Sequence, residues 1–143
     1  MKRIFYAVTL ALSLAAPTAA LACEGEEHHA QAKEPVKATV ADVASWTKAK
    51  KAIPVDANGQ QTRTSQGVIP GAVLLTSSSQ YDVKELPADK NSKLVFYCAS
   101  EKCGASHTAA VRAMENGYTD VAVLPVGITG WKKAGQPTAK PNS

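Results

Sequence analysis

The sequence has no strong excess of charge of either sign. Its 16 Lys and Arg against 12 Asp and Glu give a formal net charge of +4 over 143 residues. Lys2 and Arg3 lie in a segment that we expect to be removed, which lowers the charge from +4 to +2. Nucleic-acid binding needs a concentrated basic surface, and so small a charge gives it no electrostatic support. We therefore expect no nucleic-acid partner.

After its N-terminus the sequence also lacks any apolar run long enough to cross a membrane. The one sustained run, residues 4–16, follows two cations and precedes the small residues ALA at 20–22. These three features are typical of a cleavable signal peptide, residues 1–22. We predict a mature chain of residues 23–143 in the periplasm with no membrane span, and lipidation of Cys23 is the competing prediction.

Cysteine is scarce, because the sequence holds only Cys23, Cys98 and Cys103. Three thiols cannot all pair within one molecule, so at least one stays free. In an oxidising compartment a free thiol is either buried and inert or protected because it is used. The position of each cysteine in the fold therefore decides its role.

Strand and helix patterns alternate along residues 38–138, with no internal repeat. Residues 23–37 are charged and aperiodic, and they predict a flexible N-terminal tail, as residues 139–143 do at the C-terminus. Strands are predicted at 53–57, 72–75, 94–97 and 121–124. Helices are predicted at 40–51 with Thr39 as N-cap, at 77–86, at 105–116 with Gly117 as cap, and at 128–135, with a polar loop at 59–67.

This alternation predicts an α/β fold with parallel strands and helices on both faces of the sheet. Reactive groups in such sheets collect at the carboxyl ends of the strands. Cys98 stands at that end of the apolar run 94–97, which is typical of a strand buried on both faces. Its place in the fold therefore favours Cys98 as the functional cysteine.

The loop of residues 98–103 runs directly into a helix that starts near Gly104. A loop this tight can turn backbone N–H groups toward the sulfur of Cys98, and the helix N-terminus adds partial positive charge. Both effects lower the pKa of a thiol, so we expect Cys98 to be largely thiolate at neutral pH. The expected cradle consists of Ala99, Ser100, Glu101, Lys102, Cys103 and Gly104.

A thiolate in such a loop suits phosphate-ester hydrolysis or sulfur chemistry. Cysteine phosphatases place an arginine six positions after the nucleophile, where it pairs with phosphate oxygens. Gly104 holds that position here, and the first arginine after Cys98 is Arg112. A persulfide adds only one sulfur atom, and its anion accepts the same backbone hydrogen bonds, so the sequence favours a persulfide.

Three motifs follow one another along residues 53–137: IPVDAN, GVIPGAV, and FYCASEKCGASHTAA continuing into GYTDVAVLPVGITGWKKAGQP. Together they resemble the rhodanese-like domain family. The resemblance implies a three-layer α/β/α fold around a mainly parallel sheet of roughly five strands. It also implies a sulfurtransferase without cofactor or metal, in which Cys98 takes sulfane sulfur from a thiosulfate-like donor and passes it to cyanide or a thiol.

Two positions depart from that family pattern. Cys103 stands where family loops often end in a basic residue, which leaves Lys102 as the loop's one cation. Val126-Gly127 replaces a common pair of glycines, and we expect this change to affect only packing. Cys103 supports a second hypothesis, in which it attacks a persulfide on Cys98, releases sulfide and forms a disulfide. A non-catalytic binding module is the third hypothesis.

Other side chains each have a functional and a structural interpretation. His107 is either an acid or base near Cys98 or partly packed on the sheet, and we favour packing. Asp56 either touches substrate or caps the next turn, which we favour. Lys102 and Arg63 either contact an anionic donor or are exposed surface cations, and we favour the latter for Arg63. Both tryptophans are expected in the core rather than in a pocket.

The start of the mature chain contains three types of metal ligand. Neighbouring residues in a flexible tail lack a fixed geometry, so we favour a solvated tail over a metal site. The residues concerned are Cys23, Glu24, Glu26, Glu27, His28 and His29.

Overall fold

The computed structural model describes residues 34–141. The predicted signal peptide and the candidate metal ligands at 23–29 lie outside the described residues. The elements are β1 (Val36–Lys37), α1 (Val40–Lys48), β2 (Ile53–Asp56), α2 (Gln60–Gln66), β3 (Val73–Leu74), a 3₁₀ turn (Val83–Glu85), β4 (Leu94–Tyr97), α3 (Ala105–Glu115), β5 (Val121–Leu124) and α4 (Gly127–Lys133).

The five strands form one parallel sheet in the order β1-β5-β4-β2-β3. This confirms the predicted α/β fold with a parallel sheet of about five strands. β4 is the central strand, and all four of its residues are completely buried. Their continuous apolar run is what a strand covered on both faces requires.

Side chains of β4 point alternately into two hydrophobic clusters, one on each face of the sheet. Leu94 and Phe96 belong to the cluster that contains the buried alanines of α3. Val95 and Tyr97 belong to the other, together with Trp131 of α4 and residues of α1. Burying one large apolar side chain contributes about 1.5–3 kcal/mol, so these clusters fix the three layers of the domain.

Local signals explain the elements that were predicted well. Thr39 caps α1, since its Oγ1 accepts a hydrogen bond from Asp42 N and Asp42 Oδ2 accepts one from Thr39 N. Gly117 follows α3 with a φ of +92°, a left-handed conformation that favours glycine. Trp131 is buried, as predicted for the core, and its Nε1 donates to Pro137 O.

The prediction of a polar loop over residues 59–67 is wrong, because α2 occupies most of it. Arg63 is its one buried residue. Its Nη2 donates to the backbone oxygens of Asp56 and Leu75, and its Nε to Asp56 Oδ1. These tertiary bonds anchor a helix without an apolar stripe, so its sequence gives no periodic signal.

The predicted helix over residues 77–86 is also wrong, because only the 3₁₀ turn forms there. Asp82 caps that turn, and Ser77 Oγ accepts hydrogen bonds from the amides of Ser79 and Gln80. Such local side-chain bonds to the backbone compete with a helix.

Parts of both predicted tails pair with the rest of the domain. Val36–Lys37 forms an edge strand beside β5, and Ala139 forms an antiparallel bridge with Val68. Backbone hydrogen bonds hold these segments, and such pairing leaves no apolar pattern in the sequence from which it could be predicted. Among the described residues, no helix has the length and apolar character required to cross a membrane.

Candidate functional site

Cys98 lies at the carboxyl edge of the sheet, directly after the central strand β4. Residues 98–104 then form a short loop, and α3 begins at Ala105. The loop closes over the cysteine so completely that Cys98 is 0% exposed. The predicted position is therefore confirmed, but in this conformation solvent does not reach the side chain.

The groups around the Cys98 sulfur differ from the expected ring of N–H donors. Its Sγ lies 3.0 Å from Cys103 O and 3.8 Å from Ser100 O, and these carbonyls accept from the thiol. Ser106 Oγ lies 3.4 Å from the sulfur, in a hydrogen bond in which either atom can be the donor. A sulfur that faces carbonyl oxygens is favoured as a protonated thiol.

Burial raises the pKa of the Cys98 thiol, and its hydrogen bond to the Cys103 thiol raises it further. The hydroxyl and amide of Ser106 offset only part of this rise. The prediction that Cys98 is largely thiolate at neutral pH is therefore wrong for this closed conformation. The loop turns its carbonyl groups inward where N–H groups were expected.

Cys103 has the opposite character. It is only partly buried, and although burial opposes its ionisation, hydrogen bonds from the Cys98 thiol and from the amides of Ala99 and Ala105 lower the pKa of Cys103. It stands two residues before α3 begins, where the N-terminal amides of a helix stabilise an anion. The thiolate-stabilising environment predicted for Cys98 thus belongs to Cys103.

The start of α4 holds the loop in place. The amide of Ile128 donates to Cys98 O at 2.8 Å, and that of Thr129 donates to Ala99 O at 3.1 Å. Gly127 has a φ of +58°, and a Cβ at this position would overlap Cys98 O and lie 2.7 Å from the carbonyl carbon of Ala99. Only glycine allows this close approach, so Gly127, the one glycine of the common pair that this chain retains, fixes the position of the loop against α4.

A cavity of about 290 Å³ opens beside the loop. Ser100, Glu101 and Lys102 line one side, and residues of the α4 region, among them Thr129 and Lys133, line the other. Its two lysines, against the one carboxylate of Glu101, favour an anionic ligand in this cavity. Sequence reasoning proposed Lys102 but missed Lys133, which the fold brings from the last turn of α4. A larger cavity of about 690 Å³ lies beside α1 and does not include the loop.

The remaining candidates lie outside this loop. Asp56 Oδ1 accepts from Asn58 N at 2.7 Å, which confirms the capping role. Arg63 is buried in an ion pair with Asp56 at 3.3 Å, so the prediction of an exposed cation is wrong. The side chain of His107 is 50% exposed and lies 3.6 Å from a Glu34 oxygen, so it is not packed on the sheet.

Asp56 and Arg63 belong to a buried polar network beneath the loop. Asp56 is the register partner of Tyr97, the residue before Cys98, and Tyr97 Oη accepts from Ile69 N at 3.0 Å. Burial and the nearby Asp56 carboxylate raise the pKa of Tyr97, so its phenol stays protonated. Within residues 34–141, no three His, Cys, Asp or Glu side chains come together as metal ligands.

Comparisons with known proteins agree with this fold. A family model described as the rhodanese-like domain matches residues 39–134. No curated protein sequence matches the chain.

Among solved structures, the rhodanese-like domain of an Anabaena protein is 20% identical, with a TM-score of 0.58 over 76% of this chain and 81% of that one. A Rhodopseudomonas palustris protein of unknown function, described as a possible tyrosine phosphatase, is 24% identical, with a TM-score of 0.60 over 73% and 85%. A thiosulfate sulfurtransferase from Pseudomonas aeruginosa is 19% identical, with a TM-score of 0.58 over 76% of this chain but 21% of its own. At these identities the similarity shows the fold alone.

Proposed function

The chain belongs to the rhodanese-like domain family, and from this premise we propose that it is a periplasmic sulfurtransferase that carries sulfane sulfur as a persulfide on Cys98. The observation that carries the proposal is the position of Cys98. It is the first residue after the central strand, and its sulfur meets Ser106 in the first turn of α3. The signal-peptide pattern at residues 1–22 supports the periplasmic location.

The proposed reaction is two displacements at sulfur. The Cys98 thiolate attacks the outer sulfur of a thiosulfate-like donor, the sulfur–sulfur bond of the donor breaks, and sulfite leaves. A thiophilic acceptor, cyanide or a thiol, then attacks the terminal sulfur of the persulfide and restores the Cys98 thiolate. The partners are thus a small sulfur donor and a small acceptor, and neither step requires a cofactor.

In this proposal, the conformation in which the loop buries Cys98 is the closed, resting form. Cys98 is buried and its thiol donates to Cys103 O, so the loop must open before the thiol can lose its proton and meet a donor. The turn over residues 100–103 is closed by one backbone bond, from Cys103 N to Ser100 O at 3.0 Å, while the amides of Ile128 and Thr129 hold Cys98 and Ala99. A bond of this kind contributes only about 0.5–1.5 kcal/mol, so this turn can open while Cys98 and Ala99 stay bonded to α4.

One feature would favour binding of an anionic donor, and another would stabilise an anionic persulfide. Lys102 and Lys133 line the cavity beside the loop and attract the donor. The amide and hydroxyl of Ser106 stabilise negative charge on the sulfur at the N-terminus of α3.

The proposal is tested by intact-mass measurement of the reduced chain after incubation with thiosulfate. All samples carry Cys23→Ser so that only the loop cysteines report. We expect a gain of one sulfur atom in this parent and in Cys103→Ser, and none in Cys98→Ser. A gain of one sulfur atom in Cys98→Ser, or no such gain in the parent, would contradict the proposal.

A further inference from the structure

The two loop cysteines are in contact with each other but differ in access to solvent. Cys98 is 0% exposed, whereas Cys103 is partly exposed. The Cys98 sulfur lies 3.0 Å from the backbone oxygen of Cys103, so the two residues are in direct contact within the loop. A reagent from solution therefore meets Cys103 first, and the nearest thiol to any adduct on Cys103 is Cys98.

We propose that the loop also performs thiol–disulfide exchange, in which Cys103 is the attacking thiol, Cys98 the resolving thiol, and the substrate a disulfide with anionic flanking groups. This activity goes beyond sulfur transfer and does not depend on it. It assigns an order to the cysteines that is opposite to their order in the chain.

The first step takes place at Cys103. Its thiolate attacks one sulfur of a disulfide R–S–S–R, the bond between those sulfurs breaks, one R–S⁻ leaves and takes a proton from water, and a mixed disulfide remains on Cys103. The amides of Ala99 and Ala105 stabilise the attacking thiolate. The cavity with Lys102 and Lys133 is lined by the three residues that precede Cys103, so it can hold the anionic groups of the substrate.

The second step takes place inside the loop. The Cys98 sulfur attacks the Cys103 sulfur, the mixed disulfide breaks, and the second R–S⁻ leaves with the proton of Cys98. The two protein thiols have then lost two electrons and two protons, and the substrate has gained them as two R–SH. The Cys98 sulfur already lies 3.0 Å from a backbone atom of Cys103, and this proximity favours the intramolecular step over attack by a second external thiol.

The probe is glutathione disulfide, which carries carboxylates and contains no sulfane sulfur, so a failure of sulfur transfer does not affect the result. The reduced chain, with Cys23→Ser, is mixed with it and followed by intact mass and peptide mapping. We expect the parent to lose two hydrogens, with at most a transient glutathione adduct. We expect Cys98→Ser to accumulate one stable glutathione adduct on Cys103. We expect Cys103→Ser to react at no more than about a tenth of the parent's rate.

Three results would overturn the proposal. They are glutathione on Cys98 in Cys103→Ser at the parent's rate, no adduct in Cys98→Ser, or a stable mixed disulfide in the parent without loss of hydrogens. Cys98→Ala is a second test variant, because a small apolar side chain suits the buried position. Thermal unfolding of each variant shows that it is folded before its rate is compared.

Discussion

Gly127→Ala is expected to destabilise the domain by acting on the loop that holds Cys98. The φ of +58° alone makes any other residue unfavourable, at about 1–2 kcal/mol. The added Cβ would also overlap Cys98 O and lie 2.8 Å from Ala99 O, and both are backbone atoms that cannot rotate away. Overpacking of this kind typically costs a further 1–3 kcal/mol, so we expect the free energy of unfolding to fall by about 2–5 kcal/mol.

Gly135→Ala is the matched control. Gly135 also has a left-handed conformation, with a φ of +73°, but a Cβ there meets no atom within 4 Å. The free energy of unfolding of Gly135→Ala should therefore fall by only about 1–2 kcal/mol, the cost of the left-handed backbone conformation. The difference between the two variants isolates the contact between α4 and the loop.

The assay is urea unfolding of both variants and the parent, with the free energy of unfolding extrapolated to water. The displaced loop should also weaken the bonds from the amides of Ile128 and Thr129 to Cys98 O and Ala99 O, and so alter the reactivity of Cys98 in Gly127→Ala alone. If Gly127→Ala loses no more stability than Gly135→Ala, then Gly127 does not position this loop.

Three further predictions concern charge. Iodoacetamide should label Cys103 before Cys98. Because the pKa of Cys103 is lowered, its thiolate forms at a lower pH than that of an ordinary thiol, and the labelling rate should rise over that lower pH range. Peptide mapping that finds Cys98 labelled first would contradict this. Arg63→Ala should cost about 3–5 kcal/mol in urea unfolding, because it leaves buried Asp56 without its cation, and an effect below 1 kcal/mol would show that the pair is not needed. Lys133→Ala should raise KM for thiosulfate several-fold with kcat little changed, whereas an unchanged KM would exclude this cavity as the donor site.

Local sequence signals account for the elements that position the site. The apolar runs of β4 and β5 and the glycine after α3 each act within a few residues, so their patterns predict the strands, the helix and the place of Cys98. β1 pairs with β5, whose residues lie 86 positions further along the chain. α2 is held by bonds from Arg63 to Asp56 and Leu75, seven and twelve positions away, and these bonds leave no periodic apolar pattern in the sequence.

The acidity of the thiols could not be predicted from the position of Cys98 alone. It depends on whether carbonyl or N–H groups face each sulfur, and the turn from Cys103 N to Ser100 O together with the amides of α4 sets that orientation. The sequence did contain one relevant signal, because Cys103 stands closer than Cys98 to the start of α3. Lys133 lies some thirty residues beyond the loop, and only the fold brings it to the cavity.

Cyanide treatment of the sulfur-loaded chain is the most direct test of persulfide transfer. After excess thiosulfate is removed, the chain with Cys23→Ser should release thiocyanate in proportion to the protein, and peptide mapping before cyanide should locate the extra sulfur on Cys98. Sulfur found only on Cys103, or a loaded chain that yields no thiocyanate, would contradict the assignment of Cys98 as the sulfur carrier.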